Sequence, residues 1–226
     1  MLRKDPESPY EPLTDEELVQ NINLIFLAGH DTTASTLCYA LYNLARNRDV
    51  QDKLRNDIYQ KMGLNGNHKK LVIPTSEQVK SMEYLHLVIK ETMRMFPAII
   101  HIGRQLAEDY PIPEDNIVIP KGTSIALSIY SILNDPKIYP NPEKFNPERF
   151  LNAKYDIDTY MPFGGGSRMC VGISFSLMQQ KVFLALLLQK FDLRIANDNP
   201  DYEQLRVSGF GLTRPTDLKI SFEARF

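Results

Sequence analysis

The sequence predicts a mainly α-helical fold with small β-sheets, and three observations carry that prediction. Thr14-Asp15-Glu16-Glu17 and Thr75-Ser76-Glu77-Gln78 both have the spacing of a capping box, which satisfies free N–H groups at a helix start. Residues 173–190 form a strongly apolar run of helical length. The β-type runs are short: Ile117-Val118-Ile119 and Ile125-Ala126-Leu127 flank the turn Pro120-Lys121-Gly122.

The elements follow in chain order. Residues 1–13 are polar and Pro-rich and read as a loose lead-in. A long helix over 15–47 carries Leu18, Ile22, Ile25, Phe26, Ala28, Gly29, Thr32 and Thr33. Gly29 weakens its middle relative to Ala. A second helix over 50–62 stops at Gly63, a suitable residue just past a helix end. Gly63 to Pro74 is a polar loop, and the second capping box opens a short helix. A helix over 84–95 ends against Pro97, because proline restricts the residue before it. Residues 98–130 read as several short strands. From Asn134 to Met161 the chain is rich in Pro and Asn without periodicity, and a stretch of that kind is usually functional or tightly pinned. The helix of 173–190 follows, with short strands to the end.

Composition narrows the function. A chain of 226 residues is long enough for one sizeable domain, read here as 1–226. It is 43% hydrophobic and 24% charged with a net charge of −2, so nucleic acid is not a natural partner. Its two cysteines, Cys38 and Cys170, fit a reducing compartment better than a disulfide framework. No segment approaches the ~18 apolar residues of a membrane span. The N-terminus lacks the apolar core of a signal peptide.

The densest chemical signal is Phe163-Gly164-Gly165-Gly166-Ser167-Arg168-Met169-Cys170-Val171-Gly172. Three consecutive glycines let the backbone bend tightly and approach a flat ligand. A helix starting just past Cys170 turns free N–H groups and its positive dipole end toward the sulfur. Such surroundings, with Arg168 two residues before, favour a metal-ligating thiolate. A tight turn with a buried free cysteine is the bland reading of Gly-Gly-Gly or Cys alone. The complete pattern Phe-x-x-Gly-x-Arg-x-Cys-x-Gly resembles the haem-binding loop of the cytochrome P-450 family, the haem-thiolate monooxygenases.

Three further segments resemble that family in its chain order. Glu91 and Arg94 share a helix face, and on a solvated helix such a pair contributes only a few tenths of a kcal/mol. Here Leu85, Val88, Ile89 and Phe96 point to a buried helix, where the pair needs more partners to offset desolvation. The resemblance gives Glu91, Arg94 and Arg149 a structural role, a buried network that pins the loop leading to the cysteine. Ala28-Gly29-His30-Asp31-Thr32-Thr33 reads equally as a stripe of small residues against another helix. It resembles the family's oxygen-binding motif. That likeness implies a groove at Ala28 and Gly29, a Thr32 hydroxyl that hydrogen-bonds dioxygen, and an Asp31 that helps feed protons. His30 stays outside the site. Third, Arg104, on the segment after Pro97 that also carries His101, resembles the basic residue that takes the haem propionates, with Arg168 as the second clamp; an Arg fork suits carboxylates. Residues 97–102 would line the substrate pocket, made apolar by Ala98, Ile99 and Ile100.

The resemblance therefore implies the C-terminal half of the cytochrome P-450 fold: long oxygen-binding helix, Glu-x-x-Arg helix, meander, cysteine loop and helix behind the haem. The cofactor would be haem b, iron protoporphyrin IX, held by Cys170 as axial ligand and by Arg104, Phe163, Gly164, Arg168 and Gly172. The implied partners are dioxygen, an apolar small-molecule substrate and an NADPH-dependent flavoprotein reductase, approached by Lys144, Lys154 and Lys181. The parent protein would sit at the endoplasmic-reticulum membrane facing the cytosol. Family members are roughly twice as long, so an exposed apolar face is expected on the haem and the long helix. Two other readings stay open: a haem-thiolate isomerase or dehydratase, which Asp31 and Thr32 argue against, and a truncated chain without activity. Cys38 and the run Phe175, Met178, Val182, Phe183, Leu186 and Leu187 are read as core packing. Ser176, where the family often has Ala, is expected to matter little.

Overall fold

A computed structural model describes residues 12–65, 69–151, 155–156, 158–197 and 205–226; most of the lead-in, the tip of the 63–74 loop and Lys154 lie outside them. Helix α1 (Asp15–Arg46) starts at Thr14, whose side chain accepts from the Glu17 N–H while the Glu17 carboxylate takes the Thr14 N–H. It stops at Asn47, one residue earlier than the pattern implied, and α2 (Arg48–Met62) begins directly, two residues earlier than its pattern implied. Gly63 closes α2 at φ 66°, a left-handed conformation that favours glycine. Helix α3 (Ser76–Ser81) has the Thr75–Gln78 capping box. Helix α4 (Glu83–Met95) ends at Phe96, the residue before Pro97. Among the described residues no helix is long and apolar enough to cross a membrane.

The structure supplies the strand pairing, which the sequence reading left open. Strand β1 (His101–Gln105) pairs antiparallel with β4 (Ser124–Ser128), Ile102 opposite Leu127 and Arg104 opposite Ile125. Strand β2 (Tyr110–Ile112) pairs with β3 (Ile117–Ile119). The strands on either side of Pro120-Lys121-Gly122 therefore belong to different sheets. The turn is held instead by Gly122 N–H to Leu106 O (2.9 Å) and Leu106 N–H to Thr123 O (3.0 Å). A short helix, α5 (Ile129–Leu133), follows β4 where strand was expected; Ser128 caps it through the Ser131 N–H. Among its described residues the stretch from Asn134 to Met161 is irregular apart from one 3-10 turn, Pro147–Phe150. Helix α6 (Ile173–Lys190) runs into β5 (Phe191–Ile195), which pairs with β8 (Ile220–Ala224). Strands β6 (Val207–Ser208) and β7 (Arg214–Pro215) make the last small sheet.

The core lies where the second half of α1 meets α2, α4 and α6. Ala40, Leu44, Leu54, Ile58, Leu85, Val88, Ile89, Leu184 and Leu188 are buried together. On α6 the buried face is Leu184, Ala185 and Leu188, which corrects the sequence reading. Phe175 is 71% exposed, Phe183 is also exposed, and Met178, Val182, Leu186 and Leu187 are only partly covered. The helix is apolar on both sides, so periodicity could not say which side faces the other helices.

One buried polar side chain ties this core together. Gln51 donates Nε2 to Leu44 O (2.9 Å) and Leu193 O (3.0 Å). Its Oε1 accepts from the Leu193 N–H (2.9 Å) and Arg55 Nη2 (3.0 Å). Every lone pair and proton of the amide is used, so it joins α1, α2 and β5 without an unpaired group. Gln51→Leu keeps the volume and orphans those partners. Urea unfolding is expected to show a loss of roughly 3 kcal/mol or more.

Candidate functional site

The cysteine loop is built by short-range backbone bonds. Gly164 N–H meets Met161 O (2.9 Å), Met169 N–H meets Gly166 O (3.1 Å), and Cys170 N–H reaches back to Phe163 O (3.0 Å). Gly164 and Gly166 have φ of 74° and 69°, so a side chain at either would be strained. A Cβ at Gly165 or Gly166 would meet nothing within 4 Å, so that backbone is bare to an approaching planar group. Phe163 turns into the main core and anchors the loop's first residue. Cys170 itself is exposed, with Val171 98% exposed beside it. Gly172 then caps α6; a Cβ there would lie 3.8 Å from Cys170 Sγ.

The loop meets two other elements. Ile102 Cδ1 would lie 3.9 Å from a Cβ at Gly164, so β1 packs on the loop. Arg104 is two residues on, hence on the same face of the strand as Ile102. It is exposed and donates Nη1 to Gly103 O (2.8 Å); Arg168, in the 3-10 turn Gly166–Arg168, is exposed as well. The second element is α1. Thr33 Oγ1 and Ser176 Oγ are 3.1 Å apart, which brings the Ala28–Thr33 segment to the first turn of α6.

Within that segment α1 remains α-helical throughout. The Thr32 hydroxyl donates to Ala28 O (2.8 Å). Ala28 and Gly29 are exposed, and a Cβ on Gly29 would meet nothing within 4 Å. The exposed Asp31 accepts from or shares a proton with its neighbour His30, Nδ1 to Oδ1 at 2.9 Å. Toward its start α1 carries exposed apolar side chains: Val19, Ile22, Leu24, Ile25, Leu27, and Phe26 at 72%.

Below the loop lies a buried ionic network. Arg94 grips Glu91 with two bonds, Nε to Oε2 (2.8 Å) and Nη2 to Oε1 (3.1 Å), and both side chains are 0% exposed. Arg149 Nε adds a third at Oε1 (2.9 Å), and the Asn146 N–H a fourth (3.0 Å). The guanidiniums then hold carbonyls: Arg94 those of Leu133 (3.0 Å) and Pro142 (2.6 Å), Arg149 those of Pro140 (3.0 Å), Asn141 (3.2 Å) and Lys144 (3.1 Å).

Two features were missed by sequence reasoning. Residues 209–213 are stitched to 97–100: Thr213 N–H meets Ala98 O (2.7 Å), its hydroxyl Pro97 O (2.9 Å), and Ile100 N–H meets Gly211 O (3.1 Å). Gly209, at φ 117°, admits no side chain, because a Cβ would fall 2.0 Å from Leu212 O. This turn presents Phe210, 96% exposed, edge-on to His101. The Gly-Phe-Gly triplet was the available signal. The second feature is Lys181, which sequence reasoning placed at a partner surface. It turns inward, donating to Val79 O (3.2 Å) and Met82 O (3.3 Å) at the end of α3, and burial lowers its pKa. Lys144 is exposed. Cys38 is half-buried, and burial pushes its thiol pKa up.

The loop thus brings together a bare glycine backbone, an exposed thiol at a helix start and, on the loop and on β1, exposed guanidiniums. The cytochrome P450 family model matches residues 1–220, and this chain belongs to that family. It is 38% identical over 215 residues to cytochrome P450 9e2 of Blattella germanica, covering 93% of this chain and 39% of that protein. It is 38% identical over 193 residues to cytochrome P450 3A5 of Homo sapiens, covering 84% and 37%. Cytochrome P450 6k1 of Blattella germanica is 32% identical over 221 residues, covering 96% and 41%. The chain thus spans about two fifths of the length of these relatives.

Two expectations follow from this geometry. Glu91→Ala leaves two guanidiniums without their carboxylate, and unfolding measurements are expected to show a loss of about 3–5 kcal/mol. His86, on α4 beside Lys181, has its pKa lowered from 6.5 to about 4 by burial, with Lys181 and Lys90 adding to the effect. The fold therefore prefers the neutral ring. Its contribution is complete above pH 6.5 and is lost as pH falls toward about 4. Thermal melts over that range are expected to fall more steeply for the native chain than for His86→Leu.

Proposed function

We propose that this chain forms part of a haem-thiolate monooxygenase that inserts one oxygen atom of dioxygen into an apolar organic substrate, with electrons from an NADPH-dependent flavoprotein reductase. The single observation that carries this reading is an exposed Cys170 on a bare glycine loop at the start of α6, the helix that also holds the Thr32–Thr33 segment of α1. Family membership and identity to cytochrome P450 proteins support the cofactor, haem b.

The residues present fit that group. Cys170 Sγ, two residues before the Gly172 cap of α6, would be the sulfur donor to the iron. Gly164 and Gly172 leave room beside it, and Phe163 fixes the loop from the core side. Arg104 and Arg168 are the forks for two carboxylates, and the exposed Val171, Phe175 and Phe210 offer apolar surface. When bound, haem supplies the one-electron and oxygen-activating chemistry. Thr32 would supply a hydroxyl on the oxygen side: rotated away from Ala28 O, its proton would be free for a hydrogen bond. Asp31, open to solvent, resupplies protons, and the small Ala28 and Gly29 keep space beside Thr32. Residues 97–102 and Phe210 form an apolar edge for the substrate.

The test is the reduced, CO-bound absorption spectrum of the 226-residue chain after haem addition. A strongly red-shifted Soret band is expected, and Cys170→Ser is expected to abolish it; its persistence in that variant rejects the ligand assignment. No band in the unaltered chain means that this length does not assemble the centre. In an active complex, Thr32→Ala is expected to lower product formed per NADPH by about tenfold or more.

A further inference from the structure

We propose that Ser176 is a positioning residue, whose hydroxyl ties α1 beside Thr32 to the first turn of α6 and so sets where Thr32 stands relative to the Cys170 loop. The inference rests on the haem-thiolate reading above and assigns to this chain a contact the oxygen motif and cysteine motif do not contain. Gln180, 1% exposed, donates Nε2 to Ser176 Oγ at 3.0 Å, and Ser176 Oγ shares a proton with Thr33 Oγ1, 4% exposed, at 3.1 Å. A hydroxyl has one proton and two lone pairs, so Ser176 serves both neighbours at once. The Gln180 Oε1 has no partner among the described residues, so the bond to Ser176 is what holds that amide. An alanine would unpair a buried N–H and a buried hydroxyl together, which costs more than one exchanged hydrogen bond. The reading of Ser176 as a neutral exchange took no account of this.

The link can transmit position because it has no slack. Ser and Thr each reach Oγ through one side-chain torsion, and the χ1 of Thr33 is further restricted by its β-branch. Thr32 is bonded directly to Thr33, and α6 starts at the residue after Gly172. With the link intact, the start of α6 and the Thr32 backbone move together, which fixes where Thr32 stands relative to Cys170; without it they can shift apart.

Ser176→Ala, Ser176→Thr, Thr33→Val and the double variant Ser176→Ala/Thr33→Val test this in the 226-residue chain. The first readout needs no haem. Amide hydrogen exchange over residues 29–36 is expected to quicken about 5-fold in Ser176→Ala and in Thr33→Val, no further in the double variant, and not in Ser176→Thr. The second is the infrared C–O stretch of the haem-loaded, CO-bound chain, expected to shift equally in Ser176→Ala and Thr33→Val and to return in Ser176→Thr. Unchanged exchange in Ser176→Ala overturns the link. Faster exchange with an unmoved C–O stretch overturns the positioning role. If Ser176→Ala does not fold, Thr33→Val decides by the same two readouts. A native chain with no thiolate-type CO spectrum means that this length does not assemble the haem centre; the exchange data then uphold or overturn the link by themselves.

Discussion

Glu91 is the carboxylate on which the lower half of this structure depends. Removing it from water carries a large desolvation cost, and two guanidiniums and one backbone N–H offset that cost only when all are in place. The guanidiniums in turn satisfy five carbonyls, one at the end of α5 and four in residues 140–144, which have no helix or strand of their own to pair them. The network therefore substitutes for secondary structure. It gives an irregular segment one conformation, and that segment leads through the aromatic group of Tyr139, Phe150, Tyr155 and Tyr160 toward Met161 and the cysteine loop.

Helix α6 joins this foundation to the chemistry. One side, with Leu184, Ala185 and Leu188, closes the helical core; Gln189 holds the 63–74 loop through both polar groups of Val72. Its first turn supplies the surroundings of Cys170 and the contact to α1. Rigid packing at one end and an exposed thiol at the other suit the proposed ligand loop, because a metal site is only as well placed as the element behind it.

The start of α1 is apolar and exposed, and Val171, Phe175 and Phe210 are exposed as well. Contiguous exposed apolar surface marks a binding face. Its position on the helix of Thr32 and on the loop of Cys170 agrees with the proposed binding of a large flat group.

The local pattern of the chain determined much by itself. The capping boxes, the Gly63 stop, the Pro97 boundary and the extent of α6 depend on residues within a few positions, so they are written in sequence. The cysteine loop was legible for the same reason, since its backbone bonds span only residues 161–170. Strand pairing was not: the partner of β4 is β1, chosen by bonds to Leu106 that no local spacing predicts. Nor was the buried side of α6, because a helix apolar all round gives no preferred face. The inward turn of Lys181, the seam between 97–100 and 209–213, and the Thr33–Ser176–Gln180 contact join residues far apart in the chain. Such contacts exist only once packing has brought their helices together, and tertiary structure alone decided them.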